Sequence, residues 1–160
     1  MKRLLFVCLG NICRSPAAHA IMEKGVKDRG LDHRFFIDSA GTSGWHQGKL
    51  PDSRMRAHGL KRGFELTSLS RPFVPEDFEK FDHIYCMDRS NLQNVLALTR
   101  DETQKSKVRL MCEYAKNFPD EEVPDPYHGS DDGFKYVFDL LEEACEELLK
   151  ELTSEGPSSK

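Results

Sequence analysis

The amino-acid sequence predicts an α/β domain: a doubly wound, four-stranded parallel sheet with helices on both faces. Four short apolar runs are spaced along 160 residues, and between them lie stretches with helical periodicity or strong helix-start signals. Strands that alternate with helices pair in parallel through right-handed crossovers, which leaves a helix layer on each side.

Residues 3–7 are nearly all apolar, as a strand covered on both faces must be. A helix follows from Ser15 and Pro16, a hydroxyl at the N-cap and a proline at the first helical position. Ala17, Ile21 and Val26 give it an apolar face, and Gly30 closes it. Residues 34–38, with Phe35, Phe36 and Ile37, read as the second strand. Pro51 and Asp52 open a helix that runs toward Gly63, and Pro75, Glu76 and Asp77 open a short one whose acidic residues suit the helix dipole. Residues 83–87 are the third strand, 90–99 a helix carrying Leu92, Val95, Leu96 and Leu98, and 107–111 the fourth strand. From Phe134 the positions Val137, Phe138, Leu141, Ala144, Cys145, Leu148, Leu149 and Leu152 recur at helical spacing, opposite Glu142, Glu143, Glu146, Glu147 and Lys150. All of this is one domain over 1–152; residues 153–160, small and polar, read as a flexible tail.

With 38% hydrophobic residues the chain can build a core without disulfide or zinc staples. Five cysteines, an odd number, do not make a secreted disulfide framework. The net charge of −4 offers no general attraction to nucleic acid or to anionic lipid, and no apolar run approaches the roughly 18 residues of a membrane span. Met1, Lys2 and Arg3 ahead of an apolar run imitate a secretory signal, but Gly10, Asn11 and Arg14 interrupt it. A cytoplasmic protein with free thiols is expected. The histidines do not pair with cysteines at zinc-site spacing, so neither a metal nor another cofactor is expected. Any anion must be held by a local, preorganised site.

Sheets of this kind bind ligands at the carboxyl ends of their strands, where the strand order reverses. The loop after the first strand reads Cys8, Leu9, Gly10, Asn11, Ile12, Cys13, Arg14, Ser15, between a strand and a helix N-terminus. Amides in such a turn can point inward and form an anion cradle, to which the helix adds its positive end. Gly10 lets backbone approach the anion, and Asn11 tolerates the left-handed conformation. Arg14 brings a planar fork suited to two phosphate oxygens. The field that holds a dianion also favours a thiolate at Cys8; a drop of about three units from a pKa near 8.5 is a differential of roughly 4 kcal/mol. Ser15 can donate a hydrogen bond to that sulfur.

The run from Leu5 to Pro16 resembles the signature of the low-molecular-weight protein tyrosine phosphatases. Asp38-Ser39-Ala40-Gly41-Thr42, Pro51-Asp52 with Arg54, Phe81-Asp82 leading to Met87-Asp88, and Asp125-Pro126-Tyr127 follow in that family's order. The resemblance implies a metal-independent phosphatase acting on tyrosine-phosphorylated proteins or small aryl phosphates, with inorganic phosphate as product and a monomeric enzyme. It implies that Cys8 is the nucleophile, that Arg14 and the loop amides bind the phosphoryl oxygens, and that Asp125 is the general acid. It further implies that Asn11, Ser15 and Ser39 form a network holding the loop, that Asp88 is a buried partner of the arginine, and that Trp45 and Tyr127 wall the substrate cleft. Cys13, five residues after Cys8, suggests a reversible disulfide that protects the nucleophile. Two departures stand out: Ser68 where many relatives have a histidine, and His128 where many have a second tyrosine. Cys86, Cys112 and Cys145 are expected in strand or helix interiors. An arsenate reductase on the same fold needs two further neighbouring thiols, and a non-catalytic phosphate-binding adaptor has no use for an acid; both remain alternatives.

Overall fold

The structure, a computed structural model, describes residues 1–127 and 129–154. His128 and the last six positions of the expected tail lie outside the described residues. Four strands, β1 (Lys2–Cys8), β2 (Phe35–Gly41), β3 (His83–Cys86) and β4 (Val108–Leu110), form one parallel sheet in the order β2-β1-β3-β4. Six helices accompany them among the described residues: α1 (Arg14–Asp28), α2 (Ser53–Lys61), α3 (Asp77–Lys80), α4 (Arg89–Leu96), α5 (Glu102–Ser106) and α6 (Asp131–Ser154). None is long and apolar enough to cross a membrane.

The central strand shows why the sequence chooses this arrangement. Leu4, Leu5, Phe6 and Val7 have no solvent exposure. Alternate side chains go to opposite faces: Leu4 and Phe6 join α1 and α6 in one core, whereas Leu5 and Val7 pack with Phe73, Phe78, Phe81 and Val95 in the other. The apolar positions of α6 from Phe134 to Leu152 are all buried, with Leu140 added. Because β2 lies on one side of β1 and β3 on the other, the chain reverses its direction of winding at β1. The carboxyl ends of β1 and β3 therefore flank the crevice, and Asp88 follows β3 directly into it.

Several boundaries differ from the sequence reading. Helix α1 begins at Arg14, with Cys13 at its N-cap and no side-chain cap. Ser15 and Pro16 lie inside the first turn, where the missing N–H of proline costs nothing because the first four amides have no helical partner. Ser15 is not a cap because its hydroxyl is engaged elsewhere. At the other end Gly30 (φ 69°) closes the helix as expected, with Leu31 N donating to Val26 O at 2.7 Å and Gly30 N to Lys27 O at 3.0 Å. Helix α4 stops at Leu96, and Leu98 remains 44% exposed. Helix α5 was not expected; Asp101 caps it by accepting from Gln104 N at 2.8 Å. Helix α6 continues through Thr153 and Ser154, into what reads as tail.

Candidate active site

The site is built on the turn between β1 and α1. Four of its carbonyls are turned outward and bonded to the surrounding chain. Cys8 O accepts from Thr42 N at 2.9 Å, Leu9 O from Ser43 N at 2.9 Å, Gly10 O from Ser70 Oγ at 2.9 Å, and Ile12 O from Asp52 N at 2.8 Å. Outward carbonyls leave the amides facing inward. Those of Gly10, Ile12 and Cys13 donate to no acceptor among the described residues, whereas Asn11 N donates to Cys8 Sγ at 3.3 Å. Asn11 has φ 56°, the left-handed conformation that turns the chain here. Gly41 is required for contact: a Cβ there would stand 2.7 Å from Leu9 O and 3.1 Å from Asn11 N.

Cys8 is 2% exposed, beneath this cradle. Ser15 Oγ lies 3.0 Å from its sulfur and accepts from Asn11 Nδ2 at 2.8 Å. With Asn11 donating into that oxygen, the serine hydrogen is available to the sulfur, nearer than the alternative acceptor Ala40 O at 3.4 Å. Asn11 Oδ1 accepts from Arg71 N at 3.0 Å, and the Arg71 guanidinium is itself held by Asp38 and by Asp77, which is 1% exposed. Ser39 is placed differently from the reading that joined it to Asn11 and Ser15. It pairs in register with Phe6, below the loop, and its hydroxyl meets His19 Nδ1 at 3.2 Å, one helical turn from Ser15. His19 Nε2 in turn meets Glu23 at 3.1 Å. Ser68, half-buried, makes no hydrogen bond to the loop; Ser70 makes one.

Arg14 is 2% exposed and faces the cleft. Its Nη1 donates to Asp88 Oδ2 at 2.7 Å and to Val123 O at 3.1 Å, and its Nη2 lies 3.5 Å from Asp125 Oδ2. Nε, also buried, has no hydrogen-bond partner among the described residues. Burial opposes the guanidinium charge, but Cys8, Asp88 and Asp125 outweigh it and raise its pKa above the ordinary value. Asp88 is less buried than expected, its side chain 21% exposed, and it also caps α4 through Asn91 N at 2.8 Å. Asp125 comes from the loop before α6 and is more exposed; its Oδ1 accepts from Tyr127 N at 3.1 Å.

These groups line one cleft of about 130 Å³, with Cys8, the loop and Arg14 at its base and Trp45, His46, Asp125 and Tyr127 around its mouth. Trp45 is 77% exposed, a position that packing does not explain. His46 was not foreseen; its ring is tilted against Tyr127 at 6.1 Å and lies against Gly10. Cys13 also faces the cleft, but burial, then Asp52 and Cys8, push its thiol well up. Cys86 and Cys145 are buried and likewise raised, and burial raises Cys112 to about 11. All five cysteines are free.

A cysteine under an amide cradle at the switch point of a parallel sheet, with an arginine and a carboxylate at the same cleft, fits a phosphatase. The chain belongs to the low molecular weight phosphotyrosine protein phosphatase family, hydrolases whose family model matches residues 3–158. A low molecular weight phosphotyrosine protein phosphatase of Schizosaccharomyces pombe is 41% identical, over 94% of this chain and 96% of that one. Among solved structures, a protein tyrosine phosphatase of Entamoeba histolytica with Hepes in its active site superposes with a TM-score of 0.93 at 45% identity, covering 96% of this chain and 98% of its own. A Drosophila arginine phosphatase superposes with a TM-score of 0.87 at 34% identity, covering 95% and 98%.

Proposed function

We propose that the enzyme hydrolyses phosphotyrosine in proteins, and small aryl phosphates, through a phosphocysteine intermediate formed on Cys8. The observation that carries this reading is the buried sulfur beneath a loop whose Cys8, Leu9, Gly10 and Ile12 carbonyls are bonded away from it. The Cys8 thiolate attacks phosphorus in line as the bond from phosphorus to the aryl oxygen breaks. The departing oxygen keeps that electron pair and takes the Asp125 proton. Arg14 and the inward amides bind the equatorial oxygens, and the unpaired Arg14 Nε supplies a donor for one of them. Water then gives a proton to Asp125 and attacks phosphorus; the P–S bond breaks, and thiolate and inorganic phosphate are released. Ser15 stabilises the leaving sulfur in this second step.

Trp45 and Tyr127 favour a flat aryl group between them and a phosphate held too deep for phosphoserine to reach. Burial of Cys86 in β3 and of Cys112 and Cys145 elsewhere weighs against a thiol relay of the arsenate reductase kind. Free thiols suit a monomeric enzyme of a reducing compartment such as the cytoplasm. Peroxide would convert Cys8 to a sulfenic acid, and the Cys13 thiol would displace water from it to form a disulfide; recovery of a sulfinic acid at Cys8 with no Cys8 to Cys13 peptide overturns that part. The main test is hydrolysis without added metal of phosphotyrosine, set against phosphoarginine and phosphoserine, with vanadate inhibition and Cys8→Ser as controls. Phosphate binding without turnover, or arsenate reduction driven by thioredoxin, overturns the reading.

A further inference from the structure

Asp125 must be held over the phosphate loop by something other than the substrate. Its direct contact with Arg14 is long, 3.5 Å, and belongs to a guanidinium that a phosphoryl group engages. A second path runs through α2. Asp52 N donates to Ile12 O, tying the start of this helix to the phosphate loop. The Asp52 carboxylate takes Arg54 in a fork, Nε to Oδ1 at 3.1 Å and Nη2 to Oδ2 at 3.0 Å. The same Nη2 donates to Tyr127 O at 2.8 Å, and Tyr127 N donates to Asp125 Oδ1. The path is continuous from the cradle to the acid.

The surroundings keep the guanidinium in place. It lies over the Phe134 ring at 4.6 Å and the Tyr127 ring at 5.7 Å. One turn along α2, His58 stacks on Phe134 at 5.8 Å and meets Asp131 at 3.0 Å. Arg54 thus holds Tyr127, two residues after Asp125, and His58 holds the first turn of α6.

We propose that Arg54 is a positioning residue for proton donation: it fixes the Asp125 loop against the phosphate loop through the Tyr127 carbonyl, without touching the reacting atoms. The proposal rests on the phosphatase reading above. If it holds, losing Arg54 misplaces the acid but leaves Cys8 and Arg14 in register. The penalty then depends on how much the leaving group needs a proton.

The test measures kcat/KM for aryl phosphates from a nitro-substituted phenol to phosphotyrosine, in wild type, Arg54→Ala, Asp125→Ala and the double variant. General acid catalysis is worth about 10²- to 10⁴-fold, so Arg54→Ala is expected to lose about tenfold on phosphotyrosine. On the activated ester it should lose less than about threefold, since little proton transfer is needed there. In the Asp125→Ala background the Arg54 effect should vanish, because both act on one step. Arg54→Lys, with a single donor nitrogen and no planar fork, should show the same selectivity at smaller size; it carries the test if circular dichroism finds Arg54→Ala unfolded. An equal loss on every ester, or full additivity with Asp125→Ala, overturns the proposal and leaves the phosphatase reading standing. Absence of hydrolysis by folded wild type overturns that reading instead.

Discussion

Asp88 serves two partners at once, and the two can be separated. One oxygen caps α4 through Asn91 N, and the other takes Arg14 Nη1 at 2.7 Å. Asp88→Ala removes both, and the cap alone is worth about 1 kcal/mol. Deleting one partner of a buried ion pair costs roughly 3–5 kcal/mol. Here the carboxylate is one-fifth exposed and Arg14 retains Val123 O and Asp125, so about 2 kcal/mol is the appropriate figure. The sum is about 3 kcal/mol for alanine. Asp88→Asn keeps a good cap and an acceptor for Arg14 and loses only the charge, about 1 kcal/mol. With a urea slope of about 2 kcal/mol per molar, the midpoints should fall by about 1.5 M and about 0.5 M. Equilibrium urea unfolding of the three proteins, followed by circular dichroism, measures both. Equal shifts in the two variants would refute the division of roles. A shift below about 0.5 M in the alanine variant would show that Arg14 does not depend on this carboxylate.

Gly41→Ala should displace the phosphate loop, since its Cβ meets the Leu9 and Asn11 backbone rather than a flexible side chain; a loss of at least about tenfold in kcat/KM, with about 1–3 kcal/mol of stability, is expected from kinetics and urea unfolding. Asp125→Ala should slow phosphotyrosine hydrolysis by about 10²-fold and barely affect activated esters; a uniform loss would contradict its role as proton donor. The Asp52 carboxyl is subject to burial, which would raise its pKa, but hydrogen bonds from Arg54 hold it below the ordinary carboxylate value. An acid depressed on folding adds stability above its unfolded pKa of about 3.9 and loses it as pH falls through the folded value. The stability gap between wild type and Asp52→Asn, read from urea midpoints, should therefore be wider at pH 6 than at pH 3; an unchanged gap would mean that the carboxylate gains nothing on folding.

What the sequence revealed follows from how local each signal is. The fully apolar run before Cys8 could only be a central strand, and Gly30, Asp52 and Asn11 act on their immediate neighbours, so their conformations were legible. Ser15 carries two local signals that exclude each other: a serine before a proline reads as a cap, but the hydroxyl makes the other expected bond, to the sulfur seven residues back. The signal for α5, Asp101 three residues before Gln104, was present and unread. Ser70 and Arg71 gave no sign at all. Each reaches the loop across 60 residues of chain, through a serine hydroxyl and a backbone amide that look ordinary in sequence. The partner of Ser39 was not legible either, since only the register with Phe6 shows that it lies below the loop, level with His19.

The loop's partners also hold its backbone in one arrangement. Its carbonyls are taken by the segment after β2, by the stretch that holds Ser70, and by the start of α2, so three parts of the chain must be in place before the amides turn inward. Donors held in advance by such partners are what preorganised electrostatic stabilisation of an anion requires. Within the cradle the donors are divided. Asn11 N and Ser15 Oγ already address the sulfur, whereas Gly10 N, Ile12 N, Cys13 N and Arg14 Nε are uncommitted. A phosphoryl group entering above Cys8 can bind the second set without taking donors from the first. The donors to the sulfur and the donors left open for an anion are thus separate sets.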